Sequence, residues 1–188
     1  MGTIPKRKPV RLASWDYSSQ GAYFVTICTR GKEMLLGKIV GGGVYDAPQM
    51  QLSAQGETVE SSLRQMWEHD AVTVEKAVVM PNHIHLLLTV RACANGSSQA
   101  PNPTNAAVPK FVSLFKRRVN RSCGEKLWQR SYHDHIIRDE ADFRRIWEYI
   151  DTNPAKWRED CFYSKSESHP VGWLFAAKFG VVFLSEIR

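Results

Sequence analysis

Three features of the sequence predict an α+β protein, a ferredoxin-like sandwich built on an antiparallel sheet. In residues 78–90, VVMPNHIHLLLTV, two apolar runs flank a Met-Pro-Asn turn too tight to join anything but antiparallel neighbours. Two stripes follow the helical period, one around Val59 and Leu63 and one from Val108 to Val119. The elements then come in the order strand, helix, strand, strand, helix, strand, which is that of the sandwich, with one more helix after it.

The run GAYFVTICT (21–29) is rich in β-branched and aromatic residues and reads as the first strand. MLLGKIVGGGVYDAPQMQL reads as a hairpin turning at Gly41 to Gly43. Ser53 is a cap for a helix through about His69, with Val59, Leu63, Met66 and Trp67 as its buried stripe. Strands over 72–80 and 83–90 follow. RACANGSSQAPNPTNAAVP (91–109) has no periodicity and reads as a mobile loop. The second helix starts near Val108 and carries Phe111, Val112, Phe115 and Val119 inward, with Lys110, Arg117 and Arg121 on its opposite face. SYHDHII (131–137) is a short strand, and Asp139 opens a helix whose stripe is Phe143, Ile146, Trp147 and Ile150, ended by Asn153-Pro154.

At 188 residues with 43% hydrophobic content, the chain can bury one core, which we read as one domain over 1–160 and a tail over 161–188. No apolar run reaches the roughly 18 residues of a membrane helix, and VGWLFAAKFGVVFL near the end is interrupted by Lys178. No membrane partner and a cytoplasmic location are therefore expected. Cys28, Cys93, Cys123 and Cys161 form no C-x-x-C pair, which speaks against a zinc knuckle or a disulfide framework. The net charge of +6 favours an anionic partner.

His83 and His85 share one strand face with Leu87, while Ile84, Leu86, Leu88 and Val90 line the other. Two imidazoles side by side over an apolar sheet suit a divalent metal with an open coordination sphere. Hydrogen bonding beside the turn is the alternative. A second H-x-H, His133 and His135, flanks Asp134 on a short polar strand, and all four histidines together would suit a zinc hydrolase. Tyr149 lies off the apolar stripe of the last helix, and Asn153 lies four residues on along the same side. A phenol so placed beside a metal pair is a candidate nucleophile. Lys110, Lys116, Arg117, Arg118 and Arg121, with no acid between 110 and 124, join Lys6, Arg7, Lys8 and Arg11 as a candidate phosphate-backbone footprint. GKEMLLGK lacks the spacing of a phosphate-cradling loop, and there is no G-x-S-x-G.

In this order YFVTICT, VVMPNHIHLLL, LWQRSYHDHIIRDE and YIDTNPAKW resemble the REP-associated tyrosine transposases, small single-tyrosine HUH transposases of bacteria. The resemblance covers residues 1 to about 160. It implies that His83 and His85 bind Mg²⁺ or Mn²⁺, that Asn153 completes the metal sphere and that Tyr149 is the nucleophile. It further implies a DNA strand transferase that cleaves single-stranded DNA beside hairpins through a 5′-phosphotyrosine intermediate. Trp15, Tyr23 and Trp128 are candidates to stack on bases. A nucleoid-associated protein of the bacterial cytoplasm, as monomer or homodimer, is the corresponding expectation. The rival from another class is a non-catalytic single-stranded nucleic-acid-binding module on the same sandwich.

Overall fold

The β-branched run after Gly21 forms the strand around which the molecule is organised. In the computed structural model, which describes residues 20–42, 46–91 and 106–163, strand β1 (Gly21–Cys28) is followed by a small hairpin, β2 (Gly37–Val40) and β3 (Gln49–Leu52). Helix α1 (Ala54–Gln65), the two-residue strand β4 (Glu68–His69) and the strand pair β5 (Val72–Met80) and β6 (His83–Val90) come next. Helix α2 (Ala107–Cys123), strand β7 (His133–Ile137) and helix α3 (Glu140–Thr152) complete the chain of elements. The large sheet has the order β4-β5-β6-β1-β7, antiparallel throughout. Less its edge strand β4, this is the ferredoxin-like order expected from the sequence, with the H-x-H strand β6 in a central place.

The two faces of β6 carry different cores. Ile84, Leu86, Leu88 and Val90 face α1 and α2, where they bury Val59 and Leu63 of α1 with Phe111, Val112, Phe115 and Val119 of α2. Each such large side chain removed from water contributes about 1.5–3 kcal/mol. On the other face Leu87 packs with Phe24, Met80, Ile146 and Ile150 under α3. The strand is buried along its length because helices cover both sides.

Local chemistry explains the helix ends. Ser53 Oγ accepts the Gly56 N–H and donates to the Leu35 carbonyl, and Gly56 lies so close to the Leu36 carbonyl that an added Cβ would stand 2.0 Å from its oxygen. Gly124 closes α2 at φ 72°, a conformation that suits a residue without Cβ. Asp139 caps α3 by accepting the Asp142 N–H at 2.8 Å.

Some expectations shift. Helix α1 ends at Gln65 rather than near His69, because Met66 leaves the helical conformation and the chain turns into β4. Trp67 thereby falls outside the stripe and is 40% exposed. Trp147, placed in the core stripe of α3, stands at the rim of the sheet with 39% exposure. The segment 92–105 read as a loop, the arm at 6–11 and the tail beyond 163 lie outside the described residues. No described helix is long and apolar enough to cross a membrane.

Candidate active site

Strand alternation puts His83 and His85 on the α3 face of the sheet, opposite Cys28 and Thr26 of β1. Both imidazoles are fully buried. Each Nδ1 has a polar neighbour: Asn82 Oδ1 stands 2.8 Å from that of His83, and Thr26 Oγ1 stands 2.8 Å from that of His85. Asn82 donates its own Nδ2 to the carbonyls of Lys32 and Phe162, which fixes its Oδ1 as the atom facing His83. An acceptor there calls for the proton on His83 Nδ1 and leaves a lone pair on Nε2.

The two Nε2 atoms are 2.9 Å apart. That distance fits a hydrogen bond, and it also fits two ligands on one ion, since donors about 2.1 Å from a cation and at right angles stand roughly 3.0 Å apart. Burial pushes the pKa of both histidines below the ordinary imidazole range, so they are held in the neutral form that ligates metals.

Asp160 joins this pair. A carboxylate oxygen and one ring nitrogen of each histidine all lie within 4.8 Å of one another, and Asp160 Oδ2 is 3.9 Å from His85 Nε2. Burial alone would raise this carboxyl. The interactions with His85 and His83 and the Phe162 N–H, which donates to Oδ1 at 2.7 Å, outweigh it and hold the group well below the usual carboxylate range.

Tyr149 reaches the cluster from α3. Its hydroxyl donates to Asp160 Oδ2 at 2.9 Å and lies 3.4 Å from His85 Nε2. Burial first, and then the charge of Asp160, pushes the phenol well above its ordinary pKa. Asn153 sits one turn beyond, its Nδ2 donating to Asp160 Oδ2 at 3.0 Å. The Asn153 Oδ1 is buried with no hydrogen-bond partner. Such an orphan acceptor costs about 1–3 kcal/mol unless something donates to it or a cation approaches. The donor set of two imidazole nitrogens and a carboxylate fits a divalent metal.

The other candidate residues are distributed differently. His135 Nε2 is bonded to Asp142 Oδ2 at 2.7 Å, and neither His133 nor His135 belongs to the metal-type cluster among the described residues. The four-histidine zinc site is not assembled. Tyr23 and Trp128 are core residues, 0% and 6% exposed, so they are not available to stack on bases, and Trp15 lies outside the described residues. Helix α2 covers the sheet face opposite the histidines. Lys110 pairs with Asp70 at 2.9 Å, and Arg118 donates to Gln65. Lys116 turns inward to the carbonyls of Gln129 and Ser131 at 2.8 and 2.7 Å, and burial lowers its pKa to about 8. Arg117 and Arg121 are exposed.

Reading the sequence missed Asp160, Asn82 and Thr26. Asn82 was visible as the turn residue directly before the pair, and Thr26 as the polar break in an apolar strand. Asp160 had a weaker signal, the second of two adjacent acids, Glu159 and Asp160, before the stretch Cys161-Phe162-Tyr163.

The family model described as "Transposase IS200 like" matches residues 49–153, more than half of the chain. An uncharacterised protein of Haemophilus influenzae is 33% identical over 180 residues, spanning 85% of this chain and 94% of its own length. A second protein of that organism, provisionally named a REP-associated tyrosine transposase, is 24% identical over 175 residues, 84% of this chain and 90% of its own. Among solved structures, a REP-associated tyrosine transposase bound to a REP hairpin superimposes with a TM-score of 0.53 at 20% identity, over 78% of this chain and 74% of that one. At that identity the likeness speaks for the fold.

Proposed function

Because the chain belongs to the IS200-like transposase family, we propose that it cleaves and rejoins single-stranded DNA beside a hairpin, with Tyr149 as nucleophile. The observation that carries this reading is the position of the Tyr149 hydroxyl, 3.4 Å from His85 Nε2 and bonded to Asp160. No core-filling role requires a phenol at that point.

In the proposed reaction the Tyr149 oxygen attacks phosphorus, a Tyr–O–P bond forms, and the bond from phosphorus to the 3′ oxygen breaks. The products are a 5′-phosphotyrosine and a free 3′-hydroxyl, which can attack in turn and reverse the step. Asp160 Oδ2, already accepting from the phenol, is placed to take its proton. His83, His85 and Asp160, with Asn153 Oδ1, would hold Mg²⁺ or Mn²⁺, which supplies charge stabilisation to a phosphate oxygen when bound.

The histidines are covered in this arrangement by the rings of Phe162 and Trp157, whose centroids lie 4.6 and 5.9 Å from that of His83. A scissile phosphate would reach the cluster when the Phe162 and Trp157 rings swing aside while Asp160 keeps its place beside His85. The domain assigned to 1–160 would then carry the chemistry, with 161–188 following as a tail whose first residues line the site. The basic arm of Lys6, Arg7, Lys8 and Arg11 and the exposed Arg117 and Arg121 would hold flanking phosphates, with Lys110 and Arg118 beside them, whereas Lys116 is engaged inward by the Gln129 and Ser131 carbonyls. Since α2 lies across the sheet from the histidines, these cations would act at a distance from the cleaved bond.

The test mixes wild type and Tyr149→Phe with a labelled single-stranded oligonucleotide carrying a hairpin, with Mn²⁺ or with EDTA. An SDS-resistant adduct that needs both the tyrosine and the metal is expected. DNA binding without any adduct would favour the non-catalytic module.

A further inference from the structure

Helix α3 has an unusual C-terminal end. Its last turn contains Asp151, with Glu148 just before it, and no basic residue, although the C-terminal end of a helix favours positive charge. Tyr149 and Asn153 lie in or directly after this turn. The helix also buries only Ile146 and Ile150 fully against the sheet. Its hold on the nucleophile's position must come partly from elsewhere.

The missing cation comes from β5. Lys76 Nζ donates to Asp151 Oδ2 at 2.5 Å and lies 4.1 Å from the centroid of the Trp147 ring. Its side chain is only 17% exposed. Strict alternation from the buried Val72 and Val74 would send Lys76 to the α1–α2 face, away from α3. A β-bulge prevents this: Val74 pairs with Leu88 and Lys76 with the next residue, Leu87, so Glu75 is the extra residue. Beyond it Lys76, Val78 and Met80 all take the face of the histidines. Thr89 Oγ1 donates to the Glu75 carboxylate at 2.6 Å and holds the bulge in place.

We infer that Lys76, re-aimed by the bulge at Glu75, is a positioning residue for the nucleophile: it pins the last turn of α3 through Asp151 and Trp147 and thereby sets Tyr149 against the histidine pair. The inference rests on the reading of Tyr149 given above. A displacement of about 1 Å at a reacting atom can cost on the order of 100-fold in rate. The effect therefore falls on the chemical step rather than on DNA binding.

The experiment compares wild type with Lys76→Ala, Lys76→Arg and Asp151→Ala. It reads the single-turnover rate of adduct formation on the hairpin oligonucleotide with Mn²⁺, the affinity for that oligonucleotide, and amide exchange in the last turn of α3. Lys76→Ala and Asp151→Ala should each slow adduct formation about 10- to 100-fold, quicken exchange in that turn and leave affinity within about twofold, and Lys76→Arg should restore most of the rate. Asp151 is more than half exposed, so its variant tests the claim even if Lys76→Ala folds poorly. Wild-type rates and exchange in Asp151→Ala would overturn the inference. So would weaker DNA binding in Lys76→Ala combined with tighter binding in Asp151→Ala, the signature of a phosphate contact. Absence of any adduct in wild type would count against the assigned reaction instead, and the exchange measurement would still decide whether Lys76 pins the helix.

Discussion

Tyr149 and Asp160 share a hydrogen bond of 2.9 Å, and the same carboxylate oxygen also accepts from Asn153 and faces His85. One side chain thus links the phenol to both imidazoles. Asp160→Asn keeps the shape and removes the charge that would accept the proton. Adduct formation should fall about 10²- to 10⁴-fold, the usual range for losing a general base, and Mn²⁺ binding followed by electron paramagnetic resonance should weaken. Unchanged Mn²⁺ binding would leave Asp160 with the proton alone.

The orientation of His83 depends on Asn82, whose three side-chain hydrogen bonds tie β6 to Lys32 and Phe162. Asn82→Ala should lower divalent-metal affinity about 10- to 100-fold, as partners behind metal-binding histidines generally do. Calorimetric titration with Mn²⁺ measures this.

Phe162 covers the histidines, so its ring governs access to them. In wild type, diethylpyrocarbonate should modify the partly exposed His69 and spare the buried His83 and His85. Peptide mapping of Phe162→Ala should find both labelled. Equal protection in the variant would mean that Trp157 and α3 suffice to close the site.

Lys116 links pH to stability. Burial lowers its folded-state pKa from 10.5 to about 8, so between these values the folded protein releases a proton that the unfolded chain still holds. The unfolded state then binds more protons, and this group makes stability rise with pH across that window and contributes no slope below it. The stability of wild type relative to Lys116→Met should therefore increase from pH 8 to 10.5 in urea unfolding. A constant difference would show that the ammonium stays charged among the carbonyls of Gln129 and Ser131.

Much of this fold was legible because its strands and stripes obey simple periods. The H-x-H pair, its apolar reverse face and the caps at Ser53 and Asp139 all follow from local rules. The differences arise where tertiary contacts decide. Trp67 continues the period of α1 but comes after Met66 has left the helix. Trp147 lies on the stripe of α3 yet overhangs the sheet edge, where Lys76 packs on its ring. The bulge that brings Lys76 there breaks the alternation of β5, and a period-based reading cannot see such a break. Asp160 sits seven residues past Asn153 in a stretch with no regular structure of its own beyond a single 3₁₀ turn. Its approach to the histidines is a property of the chain's return path, fixed by Asn82, Phe162 and Asn153 rather than by any local pattern.

The central claim is that Tyr149 forms a covalent bond to DNA at a metal site built on His83 and His85. The most direct measurement is to isolate the SDS-resistant adduct formed with Mn²⁺ on a hairpin-bearing single strand, digest it and locate the modified residue by mass spectrometry. A nucleotide on Tyr149, absent with EDTA and in His85→Ala, is the predicted result. A nucleotide on another residue, or an adduct that persists in Tyr149→Phe, would contradict it.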